Sequence, residues 1–283
     1  MTHVLVTGAT GTIGTQVVAA LLARGATVRA GARKAPRIEG ADGVALDLTT
    51  GAGVAEALKG VDAAFCLPPF VEDMVSPVET FIAQARAAKL PFVVKLSAAG
   101  AGPDAALGLA RQHGAGDAAL QDSGLAYAVL RPTFFQENLA NFHADSIRTS
   151  GAFYGASAGQ PTAYISARDI GEAAADILLN PTAHQGQTYD IAGPEALTDS
   201  EVAELLSAIL ERDVKYVNLT PEALRDGMEQ AGMPAWIIDG MVGLEGVKSA
   251  GYASPTLGGL RTLLKREPTR MHDTLRAQRH HFA

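Results

Sequence analysis

A single cysteine, Cys66, occurs in the 283 residues, so no internal disulfide can form and no cysteine-based zinc site can be built. The seven histidines are scattered without metal-ligand spacing, and no metal is expected. No stretch reaches the roughly 18 consecutive apolar residues of a membrane span, because Arg, Asp or Gln interrupts each alanine-rich segment. The first residues lack the basic segment, apolar core and cleavage site of a secretory leader. With the lone thiol, this sets the expectation of a soluble protein of the reducing cytoplasm. Positive charge is also in deficit: 23 Lys and Arg against 30 Asp and Glu leave a net charge of −7, which repels a phosphate backbone and disfavours nucleic acid as a partner. Charged residues make up only 19% against 47% hydrophobic, which excludes a disordered chain. At about 150 residues per domain, the length suits a large domain with a smaller companion.

What is present is an alternation of strands and helices. An apolar run at 3–6 leads into Gly8, and from Thr12 the apolar residues Ile13, Val17, Val18, Leu21 and Leu22 recur at helical spacing. Strands follow at 26–31, 43–46, 63–67, 92–96 and 126–130, with helices at 54–58, 78–89 and 107–121 between them. This order predicts an α/β fold of the Rossmann type, a doubly wound parallel sheet with crossover helices, over residues 1–155. A helix over 138–148, an extended piece at 164–166, a helix over 169–179 and a strand at 188–191 follow, so a segment near 163–193 returns to the sheet. Thr198 and Glu201 have the spacing of a capping box before a helix. Residues 156–283 are otherwise expected to form a smaller, mostly helical substrate-binding part.

The segment Gly8-Ala9-Thr10-Gly11-Thr12-Ile13-Gly14 lies between the first strand and the first helix. There, backbone N–H groups and the helix N-terminus can meet a pyrophosphate, as in dinucleotide-binding folds. A ribose with a free 2′-hydroxyl calls for an acidic residue at the end of the second strand, whereas a 2′-phosphate calls for arginine. The chain offers Arg33-Lys34 and no carboxylate, so NADP(H) is expected over NAD(H). Asp47 and Leu48, after the third strand, fall where an adenine edge would lie, although Asp47 could equally cap the Thr49-Thr50 turn. Leu67 and Pro68, at the exit of the fourth strand, fall on the same edge.

GATGTIG, the arginine after the second strand, LRPTFFQENL, YISARDIGEAAADIL and the later YDIAGPEALTDSEVAELLSAIL and AGMPAWII together resemble the NmrA-like group of atypical short-chain dehydrogenases/reductases. That group includes NADPH-dependent quinone, azo-dye and triphenylmethane-dye reductases, isoflavone-reductase-type enzymes, and regulators that bind a dinucleotide without known turnover. The resemblance implies an NADPH-dependent reductase that passes hydride to a flat conjugated acceptor such as a quinone, dye or enone. The alternative is a non-catalytic NADP(H)-sensing regulator with a protein partner. Oligomeric state stays open.

The Tyr-x-x-x-Lys pair of ordinary short-chain dehydrogenases is absent; Tyr127 with Arg131 comes nearest in form. Counting back from the strand at 126–130 places His113 where isoflavone-reductase-type relatives carry a lysine, which makes it the acid candidate. Asp117, one turn on, could orient its imidazole or raise its pKa; a surface His beside Asp is the structural alternative. Ser97, ending the fifth strand, resembles the serine placed near nicotinamide in short-chain enzymes, and could also simply open a turn. Thr133 and Phe134 are expected to flank the nicotinamide, with Phe135 and Asn138 in the substrate pocket. Met233, Trp236 and Met241 could form an apolar lid over a flat ligand or plain core between two helices.

Overall fold

The computed structural model describes residues 2–256 and 259–283. Seven strands form one wholly parallel sheet in the order β3-β2-β1-β4-β5-β6-β8. They are β1 (His3–Thr7), β2 (Thr27–Ala32), β3 (Ala41–Ala45), β4 (Ala63–Cys66), β5 (Phe92–Leu96), β6 (Tyr127–Pro132) and β8 (Gln187–Ile191). The order reverses between β1 and β4, which opens a crevice at their carboxyl ends. Thr7 closes the base of that crevice: its Oγ1 donates to the Phe65 carbonyl at 3.2 Å and accepts from the Leu67 N–H at 2.9 Å.

The strands are apolar without interruption because both faces are covered. Leu5, Ala64, Cys66, Val93 and Val129 pack with Val78, Phe81, Ile82 and Ala85 of α3 (Val75–Ala87) and Leu120 of α4 (Gly108–Gln121). Val4, Val6, Phe65, Val94 and Leu130 point the other way and are equally buried. Pro77 is tolerated in α3 because it sits in the first turn, where its missing N–H has no helical partner to lose. α1 (Thr12–Ala23) and α6 (Ala167–Leu179) approach very closely: a Cβ on Gly171 would lie 2.6 Å from the Gln16 backbone. The short α2 (Val54–Ala57) links β3 to β4.

Gly114 and Gly116 are glycine for clearance. A Cβ at 114 would meet the Gly102 backbone at 2.6 Å, and one at 116 would lie 3.0 Å from Lys95 Cε. α4 spans both without a break, since close packing offsets their poor helix propensity.

The chain divides into two compact units. The first holds the chain up to Pro132, Ala167–Ile191 and Gly259–Arg266; the second holds Thr133–Ser166, the stretch from Ala192, and Glu267–Ala283. The division falls at 132/133, earlier than the boundary at 155/156 read from the sequence, because β6 is the last strand before the chain leaves the sheet. A second return, α11 (Gly259–Leu264), carries no strand and therefore no period-2 signal.

In the second unit, Leu139 and Ile147 of α5 (Asn138–Ser150), Val202 and Leu206 of α8 (Asp199–Leu210) and Met271 and Leu275 of α12 (Met271–Ala277) form the core, with Phe153 and Phe282. The capping box at Thr198 and Glu201 forms as the spacing predicts. This unit also holds a parallel pair, β7 (Ala152–Gly155) with β9 (Lys215–Asn218), each four residues long and too short to register in a periodicity reading. Residues 164–166 form no named strand; among the described residues Ile165 makes an isolated bridge to Phe135. α9 (Pro221–Gln230) and α10 (Ala235–Ser249) pack on one another, and the four-residue α7 (Pro181–His184) precedes β8 in the first unit.

Candidate functional site

The glycine loop has the geometry of an anion cradle. Gly8 turns at φ +63°, a value glycine reaches without a Cβ penalty. Gly11 is the N-cap of α1 and supplies no side-chain cap, so the first turn keeps its N–H groups pointed outward. Gly14 lets α1 lie against the turn: a Cβ there would fall 2.0 Å from the Gly8 carbonyl oxygen. Thr10 and Gly11 are exposed, Thr12 is half-buried and Ile13 is buried beneath them.

Arg33 and Lys34 follow β2 directly, and both are exposed. Among the described residues neither enters an ion pair, so their donors stand available for an anion. Asp47 accepts the Thr49 N–H at 2.8 Å and so closes its own turn, the alternative weighed from sequence. Leu48 is buried in the core beside Leu46. Leu67 packs against the turn at Gly8, where its Cδ2 would be 2.7 Å from an added Cβ, and Pro68 is buried next to it.

At the carboxyl ends of β5 and β6 the structure assembles a charge cluster that sequence reasoning did not find. Lys95, the one cation inside β5, is 1% exposed. Its Nζ donates to Asp117 Oδ1 at 2.7 Å. Ser97 Oγ donates to Asp117 Oδ2 at 2.8 Å, and Arg131 Nε donates to the same oxygen at 2.9 Å. A lysine within an apolar central strand was itself the signal, since such a charge is buried only when paired.

The pairing changes the expected part of His113. Asp117 is spent on Lys95, Ser97 and Arg131, and the His113 Nδ1 is buried without a hydrogen-bond partner. Burial and the Lys95 charge push the imidazole down to about 4, with Arg131 adding to the effect and Asp117 opposing it too weakly to win. The expected upward shift is therefore reversed, and His113 is uncharged at neutral pH. In the second unit, burial and Lys248 likewise take His143 down to about 4.

These two histidines carry an acid-stability prediction. An unfolded imidazole takes its proton near 6.5 and these folded ones near 4, so in between the unfolded chain binds more protons. Stability is complete above that interval and is lost as pH falls through it, at up to about 1.4 kcal/mol per pH unit for each histidine. Thermal melts at about pH 7 and about pH 5 should show the lower midpoint at the acid end. An equal or higher acid midpoint would contradict the burial of both rings.

The remaining candidates lie in the second unit. Thr133 Oγ1 donates to the Ala163 carbonyl at 2.6 Å, and Phe134 meets Tyr164 edge to face at 6.5 Å. Phe135 and Asn138 are half-buried, the latter opening α5. Gln136 is structural: its amide donates to the Tyr164 and Thr269 carbonyls. Trp236 and Met241 are half-buried along α10, and Met233, at 44% exposure, stands just before it. The carboxyl end of α10 is pinned, because Lys248 Nζ reaches Asp199 at 2.8 Å and Glu245 at 3.0 Å. Cys66 is buried and its thiol is pushed up to about 12 by that burial, which leaves it inert. Among the described residues no group of His, Cys, Asp or Glu could hold a metal ion, and no helix is long and apolar enough to cross a membrane.

Residues 8–181 match the NAD(P)H-binding family, and residues 117–269 match the NmrA-like family. An NAD(P)H azoreductase of Xenophilus azovorans is 34% identical over 90% of either chain. Agroclavine dehydrogenase of Claviceps fusiformis is 30% identical over 78% of this chain and 75% of its own. Among solved structures, an NADPH-dependent quinone oxidoreductase from Escherichia coli in complex with NADPH superposes with a TM-score of 0.85, at 25% identity over 97% of this chain and 99% of the other.

Proposed function

Since the chain belongs to the NmrA-like family of NAD(P)H-binding proteins, we propose that it is an NADPH-dependent reductase passing hydride to a flat conjugated acceptor: a quinone, an azo dye or an enone. The observation that carries this reading is the pairing of an open glycine cradle with two unpaired cations after β2. It is an oxidoreductase of the atypical short-chain type, and NADP(H) is its cofactor. When bound, the dihydronicotinamide supplies the hydride; the protein supplies binding, orientation and electrostatics.

In this proposal Gly8, Thr10, Gly11, Thr12, Ile13 and Gly14 hold the pyrophosphate, while Arg33 and Lys34 hold the 2′-phosphate. Asp47, Leu48, Leu67 and Pro68 border the adenosine side. Thr133 and Phe134 flank the nicotinamide, and Phe135, Asn138, Met233, Trp236 and Met241 enclose the acceptor. Ser97 gives its proton to Asp117, so it can only accept a hydrogen bond from a ligand and does not act as an acid. A conjugated acceptor suits a site without a Tyr-Lys pair, because charge spread over the product needs less proton assistance than an alkoxide. The lone inert thiol fits an enzyme of the reducing cytoplasm.

The test is anaerobic nicotinamide absorbance with a panel of quinones, azo dyes and enones. Enzyme-dependent oxidation of NADPH, with NADH much poorer, is the expected result. Arg33→Ala should raise KM for NADPH by about tenfold or more, the loss of about 1.4 kcal/mol of charge-assisted binding, while leaving NADH unchanged. Tight NADPH binding without oxidation by any acceptor would overturn the reductase reading.

A further inference from the structure

Arg33, Lys34 and Arg37 stand exposed in the loop 33–40 that joins β2 to β3, and among the described residues none of them enters an ion pair. The first two are held by the backbone on either side of them. Before them, the Gly31 carbonyl accepts the Ala9 N–H of the glycine turn at 3.0 Å, and the Ala32 carbonyl accepts the Leu46 N–H just beyond β3 at 2.9 Å. After them comes Pro36, whose carbonyl lies against β3: a Cβ on Gly43 would fall 2.0 Å from that oxygen and 3.1 Å from its carbon. No Cβ fits in that space, so the seat exists because residue 43 is glycine. Arg33, Lys34 and Ala35 therefore hang between two fixed points, Ala32 and Pro36.

Of the two sides of this contact, the loop is the one that yields. β3 lies at the edge of the sheet but is locked to β2 over its full length, from Val28 with Ala41 to Ala32 with Ala45. The loop is mostly exposed and closes on a hydrogen bond from the Ala41 N–H to the Ile38 carbonyl at 3.1 Å. An atom added at residue 43 overpacks the contact and lifts Pro36, and with it the two cations that precede it.

We propose that Gly43 is a positioning residue for coenzyme choice: by seating Pro36 it holds Arg33 and Lys34 in one arrangement, ready for a 2′-phosphate. The proposal rests on the NADP(H) reading above. A loop that grips an anion gives up backbone freedom as it does so, and that loss is subtracted from the affinity. A loop pinned at both ends has already given it up, so more of the charge-assisted binding survives as affinity for the phosphate. A nucleotide without the 2′-phosphate gains nothing from the arrangement. Gly43 thus acts on the discrimination between the two coenzymes and not on nucleotide binding at large.

The test is calorimetric titration with NADP⁺ and with NAD⁺, which differ by the 2′-phosphate alone and, without a reductant, undergo no turnover. The parent protein is expected to bind NADP⁺ at least about tenfold more tightly. Gly43→Ala should cut that ratio to about a third or less, with NAD⁺ affinity held within about twofold. Pro36→Gly leaves residue 43 alone and frees the loop backbone, and should lower the ratio in the same direction. Val44→Ala is the control. Its side chain packs with the core on α3 and α4, so truncation lowers the thermal midpoint without touching Pro36, and the parental ratio should survive. A residue that merely stabilised β3 would behave as Val44 does.

A parental ratio in Gly43→Ala, or an equal loss of it in Val44→Ala, would overturn the proposal; a loss of the ratio in Arg33→Ala would then show that the NADP(H) reading stands without it. Equal affinity of the parent protein for the two coenzymes would remove that reading and the proposal together. If Gly43→Ala does not fold, Pro36→Gly decides alone, and a parental ratio there overturns the role of the seat.

Discussion

Gly14→Ala should weaken NADPH binding by about a hundredfold or more, equivalent to about 2.7 kcal/mol, and lower the thermal midpoint at the same time. The new Cβ would lie 2.0 Å from the Gly8 carbonyl oxygen and 2.7 Å from its carbon. Both are backbone atoms of the turn that joins β1 to α1, so no side-chain rotation relieves the contact. Either α1 backs away from the sheet or the turn opens, and overpacking of that kind costs about 1–3 kcal/mol. Each response also displaces the N–H groups to which the proposed pyrophosphate site is assigned.

Gly11→Ala is the matched control, because its Cβ would meet nothing nearer than the Gly8 oxygen at 3.4 Å. That variant should keep the midpoint within a few degrees, and any loss of affinity reports the approach of phosphate to backbone. Calorimetric NADPH titration beside thermal melts separates the two effects. Gly14→Ala with parental affinity and midpoint would show that the loop does not cradle the cofactor.

Asp117→Ala should cost about 3–5 kcal/mol of stability, the usual penalty for stripping the partner from a buried ion pair. Against a total stability of about 5–15 kcal/mol, that is a large share of what holds the chain folded. The cost falls mainly on Lys95, whose side chain is 1% exposed and cannot reach water; the Arg131 side chain, at 21%, can. Removing the cation instead should be far milder, since Lys95→Met leaves Asp117 with Arg131 and replaces a charge with an apolar chain of similar length. The double variant Lys95→Met/Asp117→Leu should recover about half of the loss, because neither buried charge of the Lys95 pair remains. Urea denaturation of the three variants measures the coupling. A loss below about 1 kcal/mol in Asp117→Ala would mean that Lys95 finds water or another acceptor.

Most of the fold was legible because its signals are local. A glycine-rich turn between an apolar run and a 3.6-residue repeat is read within a dozen residues, and the strand–helix alternation repeats that unit until β6. What escaped were features too short or too distant to leave a pattern. β7 and β9 are four residues each and pair across some sixty positions of chain, as Ala152 with Lys215 shows. By local propensity alone Gly114 and Gly116 would weaken α4, whereas the Gly102 backbone and the Lys95 side chain that require them come from elsewhere.

By itself the sequence determined the parallel α/β architecture, the glycine-rich turn between β1 and α1 and the cations after β2, all of which follow from residue types at close spacing. Only the tertiary structure decided the partner of Asp117. Along the chain that carboxylate has His113 one helical turn away, and the two look made for each other. In space it meets Lys95, Ser97 and Arg131, separated from it by 22, 20 and 14 positions. A lysine buried in a central strand must find a counter-charge or unfold the strand, and that demand outweighs the modest gain of an exposed helical pair. The same choice leaves His113 uncharged, which no count along the sequence could have shown.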